Sequence, residues 1–141
     1  MMSNRLVYAL TFCFSFSLGF FLYLAIETLY KRQFTASPTH FTMGLIAGLA
    51  FVFLLFLDKT AMRFLYKAAL GAVFITVLEF LFGLYLNLYR GLGIWDYSRM
   101  PFHVLGQICP AFSLVWFGFS CLVIFINRFL LTEVRFLCGA R

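Results

Sequence analysis

Two carboxylates stand where a charged group is costly. Glu27 and Glu79 fall inside long apolar runs of this 141-residue chain. A charge at mid-bilayer costs about 2.5–3.5 kcal/mol on insertion scales, so such groups face a bundle interior or a watery cavity. There a carboxylate can take a proton, a cation or an amine-bearing solute. Plainer roles compete. Glu27 can reach the headgroups and pair with Lys31 four residues on. Glu79 can make a structural interhelical hydrogen bond as a protonated carboxyl.

Helical spacing places both acids on stripes. Ser15, Gly19, Tyr23 and Glu27 recur every four residues, and Thr76, Glu79, Gly83, Asn87 and Arg90 at steps of three and four. Residues so spaced share a helix face, so two such stripes can face each other and hide both carboxylates from lipid. Gly44 and Gly48 form a small-xxx-small pair, and Gly106, Pro110, Ser113 and Ser120 a further run of small residues. Such patterns let helices approach closely and are explained by packing alone. The segment after the third apolar run holds Trp95, Asp96, Tyr97, Arg99 and His103. Trp95 and Tyr97 suit the headgroup level, and Asp96 and Arg99 can form an exposed pair worth little. The sequence permits a polar pocket opening outward, lined by Glu27, Glu79, Asn87, Asp96, Arg99, His103 and Gln107, with Trp95 and Tyr97 beside it.

The elements that must position these groups follow from composition. The chain is 64% hydrophobic and 11% charged, against about 25% charged in a soluble domain. Five acids and eleven Lys/Arg cannot coat a water-facing surface. A soluble fold, a disordered chain and a nucleic-acid binder are excluded despite the net charge of +6. A spanning helix needs about 20 apolar residues, so the length allows about four. The apolar runs cover about 6–30, 41–57, 64–89 and 104–126. The expected fold is an all-α four-helix transmembrane bundle in a single domain. The first run is too long for a signal-peptide core and lacks a cleavage site, so it reads as a retained helix. Ser37-Pro38 marks a turn. Cys13, Cys109, Cys121 and Cys138 show no CxxC spacing and read as small buried hydrophobes. No metal site or cofactor is indicated.

Charge counting gives an orientation. With four spans, Arg5, Lys59, Arg63, Lys67, Arg128, Arg135 and Arg141 share the side of the termini, and Lys31, Arg32, Arg90 and Arg99 share the other. Seven against four favours cytoplasmic termini.

The second half resembles a known family. Leu78-Glu79-Phe80-Leu81-Phe82-Gly83, Trp95-Asp96-Tyr97-Ser98, Pro101-Phe102, Gly106-Gln107-Ile108-Cys109 and Trp116 occur in order over about residues 76–120. This looks like the ABC-transporter type IV (CmpB-like) membrane proteins of bacteria. Tyr23-Leu24-Ala25-Ile26-Glu27-Thr28 is similar to that family's first-helix Glu-Thr element. The family's Gly-Pro-x-x-Pro-x-Tyr-Gly segment has no counterpart, since residues 34–40 read Phe-Thr-Ala-Ser-Pro-Thr-His. The resemblance implies a permease-like component of the bacterial cytoplasmic membrane. The chain has no P-loop, so an ABC role requires a separate ATPase subunit.

Three functions compete. In a transporter, Glu79 carries the binding charge with Glu27 as its partner across the bundle, the 95–99 loop gates access, and a homo-oligomer completes the path. In a membrane enzyme acting on a lipid at the outer leaflet, Glu79, Asp96 and His103 supply acid–base groups and Arg99 holds a phosphate. In a scaffold subunit, the polar stripes only fix packing among membrane lipids. The transporter reading ranks first, and no catalytic residue is assigned.

Overall fold

The computed structural model describes residues 4–34 and 39–138. The expected Ser37-Pro38 turn, and Arg141 of the charge count, lie outside the described residues. Among the described residues four helices are long and apolar enough to cross a membrane, and each follows from a local pattern.

Helix α1 covers Asn4–Phe34. Its inward residues are Val7, Thr11, Ser15, Gly19, Tyr23, Glu27 and Lys31, all buried except the half-buried Tyr23. A strict four-residue step gains about 40° per step on a helix of 3.6 residues per turn. The stripe therefore winds around α1, which meets α2 along one stretch and α4 along another. The remaining faces carry exposed Phe14, Phe21 and Leu29, the surface a helix presents to lipid.

Helix α2 covers Phe41–Asp58. The ring Nδ1 of His40 caps its start, accepting from the Thr42 backbone N–H at 3.3 Å. Within its apolar stretch 61% of residues are buried, against 17% in α1, so α2 is the central helix. Gly44 and Gly48 explain how α1 comes so close. A Cβ on Gly44 would lie 2.7 Å from Leu24 Cγ and 2.9 Å from the Phe20 carbonyl oxygen. A backbone carbonyl cannot rotate away, so α1 would have to shift. Gly44→Ala is expected to destabilise the bundle by about 1–2 kcal/mol, overpacking outweighing the better helix propensity of Ala. Thermal unfolding in detergent checks this against Gly118→Ala, whose new Cβ meets nothing within 4 Å and which should be neutral or stabilising.

Helix α3 covers Phe64–Gly83 and runs on through a π-helical turn, Leu84–Tyr89. Helix α4 covers Pro110–Leu137, with Pro110 in its first turn, where the missing N–H costs nothing. Its limits differ from the apolar run at 104–126. Residues 104–108 close an isolated bridge, Val104 to Ile108, and Leu105 and Gly106 adopt left-handed backbone, so no helix starts there. At the far end Asn127-Arg128 does not terminate the helix. Asn127 is buried, its Nδ2 donating to the Phe51 carbonyl at 2.8 Å while its Oδ1 accepts from Ser15 Oγ at 2.7 Å. One amide thus joins α1, α2 and α4.

Each helix packs on its sequence neighbours, α4 also packs on α1, and α2 touches α4 across the bundle. Helices α1 and α3 are not neighbours. The expectation that their polar stripes face each other is therefore corrected. Glycines on α2 draw α1 to it, while α3 meets α4 through Thr76–Ser113 (3.1 Å) and Gly71 against Ser120. Met43, Ile46, Ala50, Ala72, Ile75 and Trp116 form the core toward the 90–109 loop, and Phe51, Leu54, Ala68, Val123 and Ile124 the core toward the termini. At the termini end Asp58 Oδ1 lies 3.1 Å from Lys67 Nζ and 2.7 Å from Arg128 Nη2, tying α2, α3 and α4.

Of the cysteines only Cys109 is buried; Cys121 and Cys138 are half-buried, Cys13 faces outward, and all four are free thiols. Cys13 lies two residues from the inward Thr11 and Ser15, which turns it away from the bundle.

Candidate functional site around Glu79

Glu79 lies on α3, one turn before Gly83, and is 1% exposed. The space beside Gly83 is filled by Gln107, whose Oε1 would lie 2.5 Å from a Cβ there. Gly83 thus admits the loop onto the helix. The π turn that follows turns Asn87 toward the loop, consistent with the frequent placement of such turns at functional sites. Asn87 Nδ2 donates to the Trp95 carbonyl at 3.0 Å and to Gln107 Oε1 at 2.8 Å. Its Oδ1 accepts from the Ile94 N–H at 2.7 Å. Trp95 Nε1 donates to the Gln107 carbonyl at 3.0 Å, and Gln107 Nε2 to the Leu105 carbonyl at 3.0 Å. Arg90 drops out of the stripe and is exposed, because the widened turn changes the register.

The loop so pinned lowers one phenol into the bundle. Tyr97 N–H donates to the Gly106 carbonyl at 2.7 Å, and its ring stacks on Phe112 with centroids 4.4 Å apart. Its hydroxyl donates to Glu79 Oε1 at 3.1 Å. From α4, Trp116 Nε1 donates to Glu79 Oε2 at 2.7 Å. Each carboxylate oxygen therefore has a neutral donor, and no cationic side chain among the described residues pairs with Glu79. Below it lies a cavity of about 10 Å³, close to the room one water needs. Its walls are Tyr23, Met43, Ile46, Ala47, Ile75, Trp116 and Phe119.

Glu27 stands apart on α1. Its Oε1 is 2.8 Å from Lys31 Nζ, as the i+4 spacing anticipates. Its buried Oε2 has no hydrogen-bond partner among the described residues. Lys31 Nζ also donates to the Ile94 carbonyl at 3.1 Å, so this pair clamps the loop from the α1 side.

The site residues read from the sequence thus separate into four places. Glu79 and Tyr97 meet. Asn87, Trp95 and Gln107 hold the loop, and Glu27 braces it through Lys31. Asp96, Arg99 and His103 lie on the exposed outer surface, where Asp96 accepts from Ser98 N and Oγ at 2.8 and 2.9 Å, and His103 Nδ1 from Gly106 N. Those Ser98 bonds, backbone first, hold the Asp96 carboxyl below the usual range. No Asp96–Arg99 ion pair forms among the described residues. Of the expected pocket lining only Glu79 borders the cavity.

Trp116, Tyr23 and Lys31 were not assigned to the site from the sequence. The signal was present for Trp116: an indole N–H is donor-only and, buried in an apolar helix, needs an acceptor.

Burial, then the Glu79 charge, raises the Tyr97 phenol above its ordinary value. A phenol whose folded value is raised favours the fold below its unfolded value and ceases to do so as pH climbs toward the folded one. Absorbance titration should therefore show Tyr97 still un-ionised beyond about pH 10, the ordinary value of a free phenol. Above that pH the wild-type chain should lose stability faster than Tyr97→Phe. Equal slopes would count against a buried, hydrogen-bonded phenol.

Among known protein families, the one described as "Putative ABC-transporter type IV" matches residues 9–138, nearly the whole chain. No curated protein and no solved structure matches.

Proposed function

The chain belongs to the ABC-transporter type IV family, and from that premise we propose that it is the permease-like membrane component of a transporter, binding a small cationic solute at Glu79. The observation that carries this reading is a carboxylate 1% exposed, with neutral donors on both oxygens and a cavity at its side. A buried carboxylate without a cationic partner must hold a proton or a bound cation, because desolvating the bare charge costs several kcal/mol or more, about 2.5–3.5 kcal/mol even on insertion scales. A cation arriving at Glu79 removes that cost, which gives the site its affinity.

The 90–109 loop acts as the gate. Asn87, Gln107 and Lys31 hold it down, and Tyr97 closes directly over the carboxylate. The cavity admits only a water-sized group in this conformation, so a larger solute enters when Tyr97 withdraws. The charge count orients the termini toward the cytoplasm of a bacterial cell, so that the loop opens outward. Energy comes from a separate nucleotide-binding subunit, and a second copy of the chain completes the path. The separation of Asp96, Arg99 and His103 from Glu79 gives no support to the enzyme reading, which needs them together.

Binding of ammonium, methylammonium, Na⁺ and K⁺ to the purified chain, measured by calorimetry, tests the proposal. At least one cation should bind to the wild type and not to Glu79→Gln. Equal binding by both chains, or none by either, overturns it.

A further inference from the structure

At the opposite end from Glu79, two cations converge on one aromatic ring. Lys59 Nζ stands 3.9 Å from the centroid of Tyr8, and Arg135 Cζ 5.8 Å from the same centroid. Arg135 Nη2 also donates to Tyr8 Oη at 3.1 Å. The three residues come from the start of α1, the end of α2 and the last turns of α4. Among the described residues no carboxylate pairs with either cation: the ion pairs are Lys31–Glu27, Lys67–Asp58 and Arg128–Asp58. Asp58, the nearest acid in sequence to Lys59, is already shared by two other cations. Like charges gathered without a counter-charge repel, and an anion seated between them removes that penalty.

One turn toward the bundle centre the surface changes character. Phe12 is four residues beyond Tyr8 and Phe56 three before Lys59. The two rings pack at 6.4 Å, yet are 42% and 53% exposed. The α1–α2 seam thus presents a cationic ledge with ammonium and guanidinium donors, and below it an exposed apolar strip. A phosphodiester with an acyl chain matches both parts. A soluble acidic peptide matches only the first.

We propose that this seam binds an anionic phospholipid, its phosphate between Lys59 and Arg135 and an acyl chain along Phe12 and Phe56. The site lies away from Glu79 and does not depend on the proposed transport function. A lipid seated there bridges α1, α2 and α4 at their ends, so it stabilises the bundle by mass action.

The test uses the full chain, purified in detergent and stripped of lipid. Native mass spectrometry and thermal unfolding are read with phosphatidylglycerol, with phosphatidylcholine and with inorganic phosphate. Phosphatidylglycerol should bind and raise Tm, and the other two should not. At about 1 kcal/mol per basic residue near an anionic surface, Lys59→Gln with Arg135→Gln should weaken phosphatidylglycerol binding roughly 30-fold. Phe56→Ala should weaken it less, and Arg32→Gln with Arg90→Gln, at the loop end, should leave it unchanged. Equal binding of the two lipids overturns the proposal, as does an equal effect of inorganic phosphate or an equal loss in the loop-end variant. Because the lipid comparison on wild-type protein needs no variant, poor folding of the double variant leaves the proposal testable.

Discussion

Glu79→Gln is expected to fold, insert and lose cation binding by at least about 30-fold. Removing one member of a buried charge pair costs about 2–5 kcal/mol, and 1.4 kcal/mol is tenfold in affinity. The amide is nearly the same size as the acid and keeps the local bonds. Its oxygen accepts from Trp116 Nε1, and its nitrogen donates to Tyr97 Oη, where the wild type accepts at 3.1 Å. The fold therefore survives and the loss reports on charge. Glu79→Ala behaves differently, since it leaves a buried indole N–H and phenol O–H unpaired. It should cost about 1–3 kcal/mol for each group stranded. A Gln chain as stable as wild type but unable to bind any tested cation separates the binding role from a purely structural one. A Gln chain that binds normally would reduce Glu79 to a packing residue.

Asp58→Asn should be the most destabilising single change at the termini end, by about 3 kcal/mol. Asp58 holds Lys67 and Arg128, and the two cations are not equivalent. The Lys67 side chain is 5% exposed, so losing its partner strands a buried charge, whereas Arg128 is 49% exposed and water takes over. Breaking a buried pair by removing one partner costs about 3–5 kcal/mol, while replacing both members with apolar groups is often neutral. The lower figure applies because the Lys67 ammonium keeps its bond to the Asp58 carbonyl at 2.9 Å. Asp58→Asn with Lys67→Met should accordingly recover most of the loss. Thermal unfolding in detergent is the measurement. A single-variant change under about 0.5 kcal/mol, the scale of an ordinary surface substitution, would show that the ion pair carries no weight.

The legibility of this chain is uneven, and the reasons are physical. Helix number and type were readable because apolar runs of spanning length have no other stable form in a bilayer. The α1 stripe was readable because residues at i+4 share a face whatever the neighbour is. The pairing of Glu27 with Lys31 followed from the same spacing. The start of α4 was not, since Val104–Cys109 is as apolar as a helix, and only Pro110, with left-handed Leu105 and Gly106 before it, places the boundary. The partner of Glu79 was not legible either. Facing stripes on α1 and α3 were a fair expectation, but periodicity describes one helix at a time and carries no information about which helices become neighbours.

By itself the sequence determined that this is a four-helix membrane protein with two carboxylates in its apolar runs, and that Glu79 is the deeper of them. Those conclusions rest on local quantities: composition, run length and the 3.6-residue period. Only the tertiary structure decided that α2 and α4 separate α1 from α3, and that Glu79 is met by Trp116 and Tyr97 rather than by Glu27. It also decided that the polar loop residues divide between a buried lock and an exposed surface. Those outcomes depend on where glycines allow backbones to close and where a donor-only indole finds its acceptor. Such contacts are made between segments far apart in the chain, where spacing along the sequence is silent.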